Sequence, residues 1–125
     1  MKLRIQGNSI RIRLSQTEVT RLASGDPIVQ KTTFSAGCQL VSCVETSPDA
    51  KQPVATFEGG RLAVALSLPQ VRAWAGSEEV SIETDQPIPD GQSLHLLIEK
   101  DFECLHRRAE GDKDAFPNPR KAADG

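Results

Sequence analysis

The sequence contains no tyrosine, and its aromatic residues are limited to four phenylalanines and one tryptophan, 4% of the chain. Proteins that hold single-stranded nucleic acid without sequence preference stack successive bases on aromatic side chains. The chain also has no excess of positive charge, because 15 lysines and arginines are balanced by 17 aspartates and glutamates. A polyanion such as DNA would meet no general attractive field. We therefore expect no binding of nucleic acid.

Long apolar runs are also missing. No stretch approaches the roughly 18 apolar residues of a membrane span, and the opening MKLRIQGNSIRIR has no continuous apolar core like that of a signal peptide. The three cysteines, Cys38, Cys43 and Cys104, form neither a disulfide framework nor a CxxC zinc knuckle. We expect a cytoplasmic protein without membrane association, in which the cysteines act as small apolar residues.

The most prominent feature of the sequence is an internal repeat. The segment Leu3–Ala23, LRIQGNSIRIRLSQTEVTRLA, returns 52 positions later as Ala55–Ala75, ATFEGGRLAVALSLPQVRAWA. Small and apolar positions recur in register, among them Gly7 with Gly59 and Leu14 with Leu66. The pattern predicts one structural unit written twice.

Each copy opens with two period-two runs around a glycine-containing pair, Gly7-Asn8 or Gly59-Gly60, which is typical of a β-hairpin. A helix start follows, marked by Ser15 in a capping box with Glu18, and in the second copy by Ser67 ahead of a proline. Gly25 and Gly76 are expected to end the helices by adopting positive φ. Two further strands follow each helix, at 28–34 and 38–45 and again at 79–84 and 93–105, the last pair separated by a turn-rich 85–91.

The resulting prediction is an α+β fold, an internal duplication of a ββαββ unit. Eight mostly antiparallel strands would form a curled sheet or barrel with two short helices. We expect a single domain over 1–105, with repeat one at about 1–45 and repeat two at about 54–105. Residues 106–125 are rich in charge, proline and glycine, which predicts a disordered C-terminal tail. The isolated Phe116 there would dock on a partner or fold back on the domain.

Three phrases, KLRIQGNSIRIRLSQTEV at the start, LLIEKDFECL at 96–105 and DAFPNP at 114–119, together resemble a family of small bacterial proteins of unknown function. The resemblance implies a bacterial, cytoplasmic protein. It supplies no catalytic or binding residue.

A cluster of like charge is the sharpest feature of the sequence. If Gly7-Asn8 is a two-residue turn, Arg4 pairs with Arg11 and Lys2 with Arg13, and all four cations share one face of the hairpin. Like charges opposite one another on adjacent strands repel. The matching positions of the second copy carry no charge, so the fold itself does not require this cluster.

Three interpretations of the cluster remain open. In the first, Glu99, Asp101 and Glu103, which alternate on one late strand, neutralise the cations in a cross-strand ladder. In the second, the guanidinium groups bind a phosphate or carboxylate. In the third, the same three acidic residues hold a divalent cation, as in a metal-dependent phosphohydrolase of the triphosphate-tunnel type. That cation is the only cofactor any of the three would need.

Two remaining features have simpler explanations. Lys100 shares its strand parity with apolar residues, and we expect a bulge or strand end to release it to solvent. Cys104 and His106 are two residues apart beside the predicted tail, which places them poorly for nucleophilic catalysis. The leading hypothesis is a small, non-enzymatic binding or interaction module that takes an anionic small molecule or an acidic partner segment on Lys2, Arg4, Arg11 and Arg13. The alternative hypothesis is the phosphohydrolase.

Overall fold

A computed structural model describes residues 1–102. Ten elements follow one another along the chain: β1 (Lys2–Gln6), β2 (Ser9–Leu14), α1 (Gln16–Ala23), β3 (Ile28–Ser35), β4 (Cys38–Thr46), β5 (Val54–Glu58), β6 (Arg61–Leu66), α2 (Leu68–Ala75), β7 (Ser81–Ile88) and β8 (Gln92–Lys100). The last strand, predicted at 93–105, ends earlier, at Lys100. Residues 103–105 and the predicted tail at 106–125 lie outside the described residues. The α+β class, with eight strands and two helices in the described residues, is confirmed.

The strands form two mixed sheets of four, with no closed barrel among the described residues. The first sheet has the order β1-β2-β8-β7 and the second has the order β3-β4-β6-β5. Hairpin neighbours are antiparallel, but the central pairs β2-β8 and β4-β6 are parallel and join the first half of the chain to the second. The prediction of one curled sheet or barrel is therefore not confirmed. Alternating hydrophobicity predicts which face a residue occupies but not which hairpin lies beside which.

The first two strands of each half flank the predicted glycine turns. The first hairpin has the predicted register, with Lys2 opposite Arg13 and Arg4 opposite Arg11. Their two-residue turns require positive φ, which Gly7, Gly59 and Gly60 adopt at 55°, 58° and 76°. Glycine takes these angles without the steric cost of a Cβ atom. The turn chemistry therefore fixes which side chains share a face of each hairpin.

Both helices begin at the predicted serines. The Ser15 side chain accepts a hydrogen bond from the backbone N–H of Glu18, whose carboxylate accepts one from the backbone N–H of Ser15. Ser67 accepts from the N–H of Gln70. At the end of α1, Gly25 (φ 95°) forms a Schellman motif with Asp26. The prediction for Gly76 was wrong in detail, because this residue ends α2 with φ −90°.

The largest error in the predicted elements concerns 85–91. The predicted turn at 85–91 begins too early, because Asp85–Ile88, which include Pro87, complete β7. Pro87 is accommodated because β7 is an edge strand, where a missing N–H need not interrupt the ladder. The true turn is Pro89–Gly91, with Asp90 and Gly91 both at φ 80°.

One core joins both sheets and both helices. It contains alternate residues of β2, β6 and β8 together with the inner faces of the helices, where Leu22 and Trp74 are 0% and 1% exposed. Trp74 lies 52 positions after Leu22, so the two buried residues match in the repeat. Lys100 ends β8, and its ammonium group donates to the carbonyl of Ser77 at 2.8 Å and lies 5.7 Å from the centroid of Trp74. Neither helix among the described residues is long and apolar enough to cross a lipid bilayer.

Candidate functional site

Four cations lie together on the outer face of the first sheet, the face turned away from the core. We call Lys2, Arg4, Arg11 and Arg13 the basic face. Lys2 and Arg4 belong to β1, Arg11 and Arg13 to β2, and the register places Arg4 opposite Arg11 and Lys2 opposite Arg13. Alternate residues of β2, Ile10, Ile12 and Leu14, are buried in the core. The core therefore forces the two arginines of β2 outward.

Glu99 neutralises part of the basic face. It lies beside Arg13 in the parallel pairing of β2 with β8. Its carboxylate accepts hydrogen bonds from Arg11 Nε and Nη2 at 2.7 and 3.3 Å, and from Arg13 Nε at 2.5 Å. The side chain of Glu99 is only 10% exposed. Burial acts to raise the pKa of Glu99, but the hydrogen bonds from the two arginines outweigh it and hold the pKa below its usual value.

A second ion pair lies at the end of the same face. Lys2 Nζ is 2.9 Å from Asp101 Oδ2, and the hydrogen bond from Lys2 lowers the pKa of Asp101. Lys2 is 70% exposed in this pair, so solvent screens the interaction and it adds little to stability. Glu99 and Asp101 thus lie on the same side of the sheet as the arginines, as two members of the predicted charge ladder would. The third predicted member, Glu103, lies outside the described residues.

Arg4 differs from the other three cations. Within residues 1–102, its guanidinium group makes no hydrogen bond or ion pair. It lies between two shallow hollows, one of about 300 Å³ beside Lys2, Leu3 and Arg13, and one of about 170 Å³ beside Gln6, Ser9 and Leu97. Arg4 and Arg11 line both hollows. Arg4 is therefore a cation of the basic face whose charge no residue within 1–102 balances.

A histidine that the sequence analysis passed over lies on the same outer face. His95 on β8 is held between two acidic residues of β7, with Nε2 2.7 Å from Glu83 and Nδ1 2.7 Å from Asp85. The hydrogen bond to Asp85 is the largest influence on the pKa of His95 and raises it. The alternation in Ser81–Asp85, SIETD, placed Glu83 and Asp85 on one face. The alternation did not show that β8, with His95, lies beside these two residues, because the prediction divided 79–91 between a strand and a turn.

The metal interpretation finds no assembled site in residues 1–102, where no group of three potential ligands from histidine, cysteine, aspartate or glutamate is suitably placed. Both oxygens of Glu99 already accept from guanidinium groups. A divalent cation at Glu99 would have to displace Arg11 and Arg13.

The two described cysteines lie apart from the basic face, on β4 of the second sheet. Cys38 is exposed and Cys43 is buried. Burial, followed by the hydrogen bond to Glu45, raises the pKa of Cys43 to about 11, so its thiol stays protonated near neutral pH. This matches the expectation of a small apolar residue for Cys43. Cys104 and His106 lie outside the described residues.

A further hollow in the described residues does not include the basic face. It measures about 440 Å³ and lies between the start of α1 and the end of β8, next to Lys100, Asp101 and Phe102. The chain continues from Phe102 at its rim. The hollow therefore borders residues that the structure does not describe, and we assign no site to it.

Comparison with curated proteins and with solved structures found no match. Comparison with protein families found one, which spans nearly the whole chain, residues 1–120, and includes all four cations of the basic face together with Glu99, Asp101 and His95. The family carries no assigned activity. The chain belongs to this family of unknown function, DUF7009.

Proposed function

We propose that the protein is a small binding module that takes an anionic group on the basic face, with Arg4 as the principal contact and Arg11 beside it. The ligand is a phosphate- or carboxylate-bearing small molecule, or an acidic segment of a partner protein. The protein contributes recognition rather than chemical transformation.

The charge of Arg4, which no residue within 1–102 balances, is the observation that carries this proposal. Glu99 serves two arginines and Asp101 serves Lys2, while Arg4 has no partner among the described residues. A guanidinium group presents several N–H donors in a rigid planar fork that fits the oxygens of a carboxylate or phosphate. An incoming anion would relieve the repulsion between Arg4 and Arg11, which lie directly opposite each other.

The shape of the region favours binding over catalysis. The two hollows of about 300 and 170 Å³ are at or below the small end of the range of roughly 300 to 1,000 Å³ that is usual for enclosed ligand sites. Both lie along an open sheet surface. Such a surface suits the anionic end of a ligand or a segment of another protein, which needs contact but no exclusion of water.

We also infer that the two halves arose by duplication of a ββαββ unit. The 52-residue repeat, the matching element order and the equivalent strand orders of the two sheets support this inference. Val54, Thr56, Ala63 and Ala65 occupy the positions of Lys2, Arg4, Arg11 and Arg13 on the second sheet. A fold that carries uncharged side chains at these positions does not need cations there for its stability, which favours a functional reason for the basic face.

The test compares anion binding by Arg4→Gln and by Arg21→Gln. Arg21 is an exposed arginine near the end of α1 and does not belong to the basic face, so its variant controls for net charge. Phosphate, tripolyphosphate and succinate are titrated calorimetrically, with and without magnesium. We expect saturable binding that Arg4→Gln weakens about tenfold, a change of about 1.4 kcal/mol, and that Arg21→Gln leaves unchanged.

Two results would contradict the proposal. Equal binding by the two variants would show that net charge, not Arg4, governs the interaction. Binding that requires magnesium, accompanied by release of phosphate from tripolyphosphate, would favour the phosphohydrolase hypothesis instead.

A further inference from the structure

The edge of β1 presents backbone groups as well as cations. In an antiparallel hairpin, alternate residues turn their N–H and C=O groups toward the partner strand and the others turn them outward. A two-residue turn makes Gln6 and Ser9 a hydrogen-bonded pair, so Arg4 and Lys2 also bond to β2. The backbone groups of Leu3 and Ile5 therefore point away from the sheet.

The equivalent edge in the second half of the chain verifies this geometry and shows one way in which such an edge is closed. Ala55 on β5 has the same place in its hairpin as Leu3. The Gln86 side chain, reaching over from β7 of the other sheet, accepts from the N–H of Ala55 at 2.7 Å and donates to its C=O at 3.0 Å. A side-chain amide thus takes the place of a neighbouring strand along β5.

Within residues 1–102, no side chain covers the edge of β1 in this way. Thr32 pairs with Leu40 as Gln86 pairs with Leu94, so Thr32 occupies the position equivalent to Gln86. Its side chain is too short to satisfy a donor and an acceptor at once, and it is exposed without a hydrogen bond in the described residues. Within residues 1–102 the outward groups of Leu3 and Ile5 have no hydrogen-bond partner. Ile5 is also 59% exposed.

We propose that β1 is a docking edge for an extended segment of a partner protein in which acidic and apolar residues alternate. The segment adds a fifth strand to the first sheet beside β1. This proposal rests on the proposed anion-binding function and specifies its ligand.

The alternation along β1 determines the chemistry of the segment. Lys2 and Arg4 lie on the outer face, while Leu3 and Ile5 lie on the opposite face. Side chains on adjacent strands meet on the same face of a sheet, so acidic residues of the segment reach Lys2 and Arg4 while its apolar residues cover Ile5. The ladder to Leu3 and Ile5 supplies affinity and the alternating side chains supply specificity, as in other cases of strand addition.

The test uses a capped peptide of alternating glutamate and valine, about eight residues long, which is an ordinary strand length. Two further peptides carry N-methyl groups, one on every glutamate and the other on every valine. N-methylation removes the donors along one edge of the peptide and leaves its charge unchanged. We expect the parent peptide and one methylated peptide to bind, and the other to lose at least about tenfold in affinity.

Two proline variants complete the experiment. Ile5→Pro removes an outward N–H from β1, and Phe57→Pro removes the equivalent one from β5, where Phe57 is 68% exposed. Proline is tolerated on an edge strand at such a position, and a thermal unfolding transition checks that each variant is folded. We expect Ile5→Pro to weaken peptide binding at least about tenfold while Phe57→Pro does not. Binding of tripolyphosphate should be unchanged in both.

The outcomes separate this proposal from the one on which it rests. Strand addition is overturned if both methylated peptides bind as tightly as the parent peptide, or if both proline variants bind the parent peptide as tightly as the native protein does. Charge alone would then hold the peptide. Binding of tripolyphosphate that depends on Arg4 would still support the anion site. If neither peptide nor tripolyphosphate binds, both proposals fail. Light scattering tests whether a second copy of the chain binds at this edge. A dimer of the native protein that Ile5→Pro dissociates would assign the edge to a second copy and overturn the proposal.

Discussion

At the scale of single residues, the outer face of the first sheet is organised by how each charge finds a partner. Glu99 takes two guanidinium groups, Asp101 takes Lys2, and His95 lies between Glu83 and Asp85. The two-residue alternation of side chains along a strand predicted that Glu99 and Asp101 lie on the same face. The same pattern could not predict that Arg4 would have no partner within residues 1–102, because that depends on which strands lie beside β1 and β2.

Glu99 should stabilise the folded protein and at the same time limit the affinity of the basic face for anions. Glu99→Gln removes a nearly buried acceptor from Arg11 and Arg13, and we expect a loss of about 1–2 kcal/mol in the free energy of unfolding, since the arginines remain partly solvated. Affinity for tripolyphosphate should rise, because one of two opposing carboxylates is neutralised.

Urea denaturation and calorimetry measure these two effects. Asp101→Asn is the matched control, because its pair with Lys2 is largely exposed and solvent screening leaves it little effect on stability. A Glu99→Gln protein as stable as the Asp101→Asn protein, with unchanged anion affinity, would contradict this account of the pairing.

His95 should titrate above its usual value near 6.5. A raised pKa in the folded state means that the protonated ring stabilises the fold. This contribution is complete below the pKa of the unfolded chain and is lost as the pH rises through the higher pKa of the folded state. Stability should therefore fall across the interval that begins near pH 6.5, by an amount that His95→Gln abolishes.

An NMR titration of the His95 ring gives the pKa directly, and Glu83→Gln/Asp85→Asn supplies the comparison. We expect the pKa to fall in the double variant because both acidic partners have become neutral amides. A pKa that is the same in the native protein and the double variant would show that the two carboxylates do not govern the ring.

At the scale of elements, the two halves of the chain differ mainly at their edges. The hairpins, their turns and the helix starts were predicted because each depends on neighbouring residues: glycine in the turns, and Ser15 and Ser67 at the caps. The strand Asp85–Ile88 was missed because proline normally signals a turn, and only its place at a sheet edge makes it a strand. Gln86 lies in that missed strand, so its bridge to β5 was also missed.

The bridge from Gln86 should protect the edge of β5. Gln86→Ala removes two hydrogen bonds to Ala55, and we expect a loss of roughly 1–2 kcal/mol in the free energy of unfolding together with faster hydrogen exchange at the Ala55 amide. Thr32→Ala is the matched control at the equivalent position and should be nearly neutral. Unchanged exchange at Ala55 in Gln86→Ala would show that the bridge is not maintained in solution.

At the scale of the whole molecule, each sheet takes one hairpin from each half of the chain. The parallel contacts β2-β8 and β4-β6 connect segments far apart in the sequence. Hydrophobic periodicity carries no information about such pairings, so eight amphipathic strands are compatible with one curled sheet, with a barrel and with the two sheets observed. The single core follows from this exchange of hairpins between the halves, because neither half can bury its hairpins without the other.

The exchange predicts that the described region unfolds as one unit. Leu14 and Leu66 occupy matching positions in the two halves, and both are 0% exposed. Leu14→Ala and Leu66→Ala should each cost about 2–5 kcal/mol and should shift the far-ultraviolet dichroism and Trp74 fluorescence transitions together. Transitions that separate in either variant would show that the halves unfold independently.

The most direct test of the account is an NMR titration that observes the Nε–Hε signals of the arginine side chains while a capped Glu-Val peptide is added. We predict that the Arg4 signal moves first and saturably, that Arg11 and Arg13 follow as their bonds to Glu99 adjust, and that Arg21, Arg61 and Arg72 stay in place. Equal, non-saturating movement of all the arginine signals would show only non-specific attraction and would contradict the proposal that the basic face is a binding site.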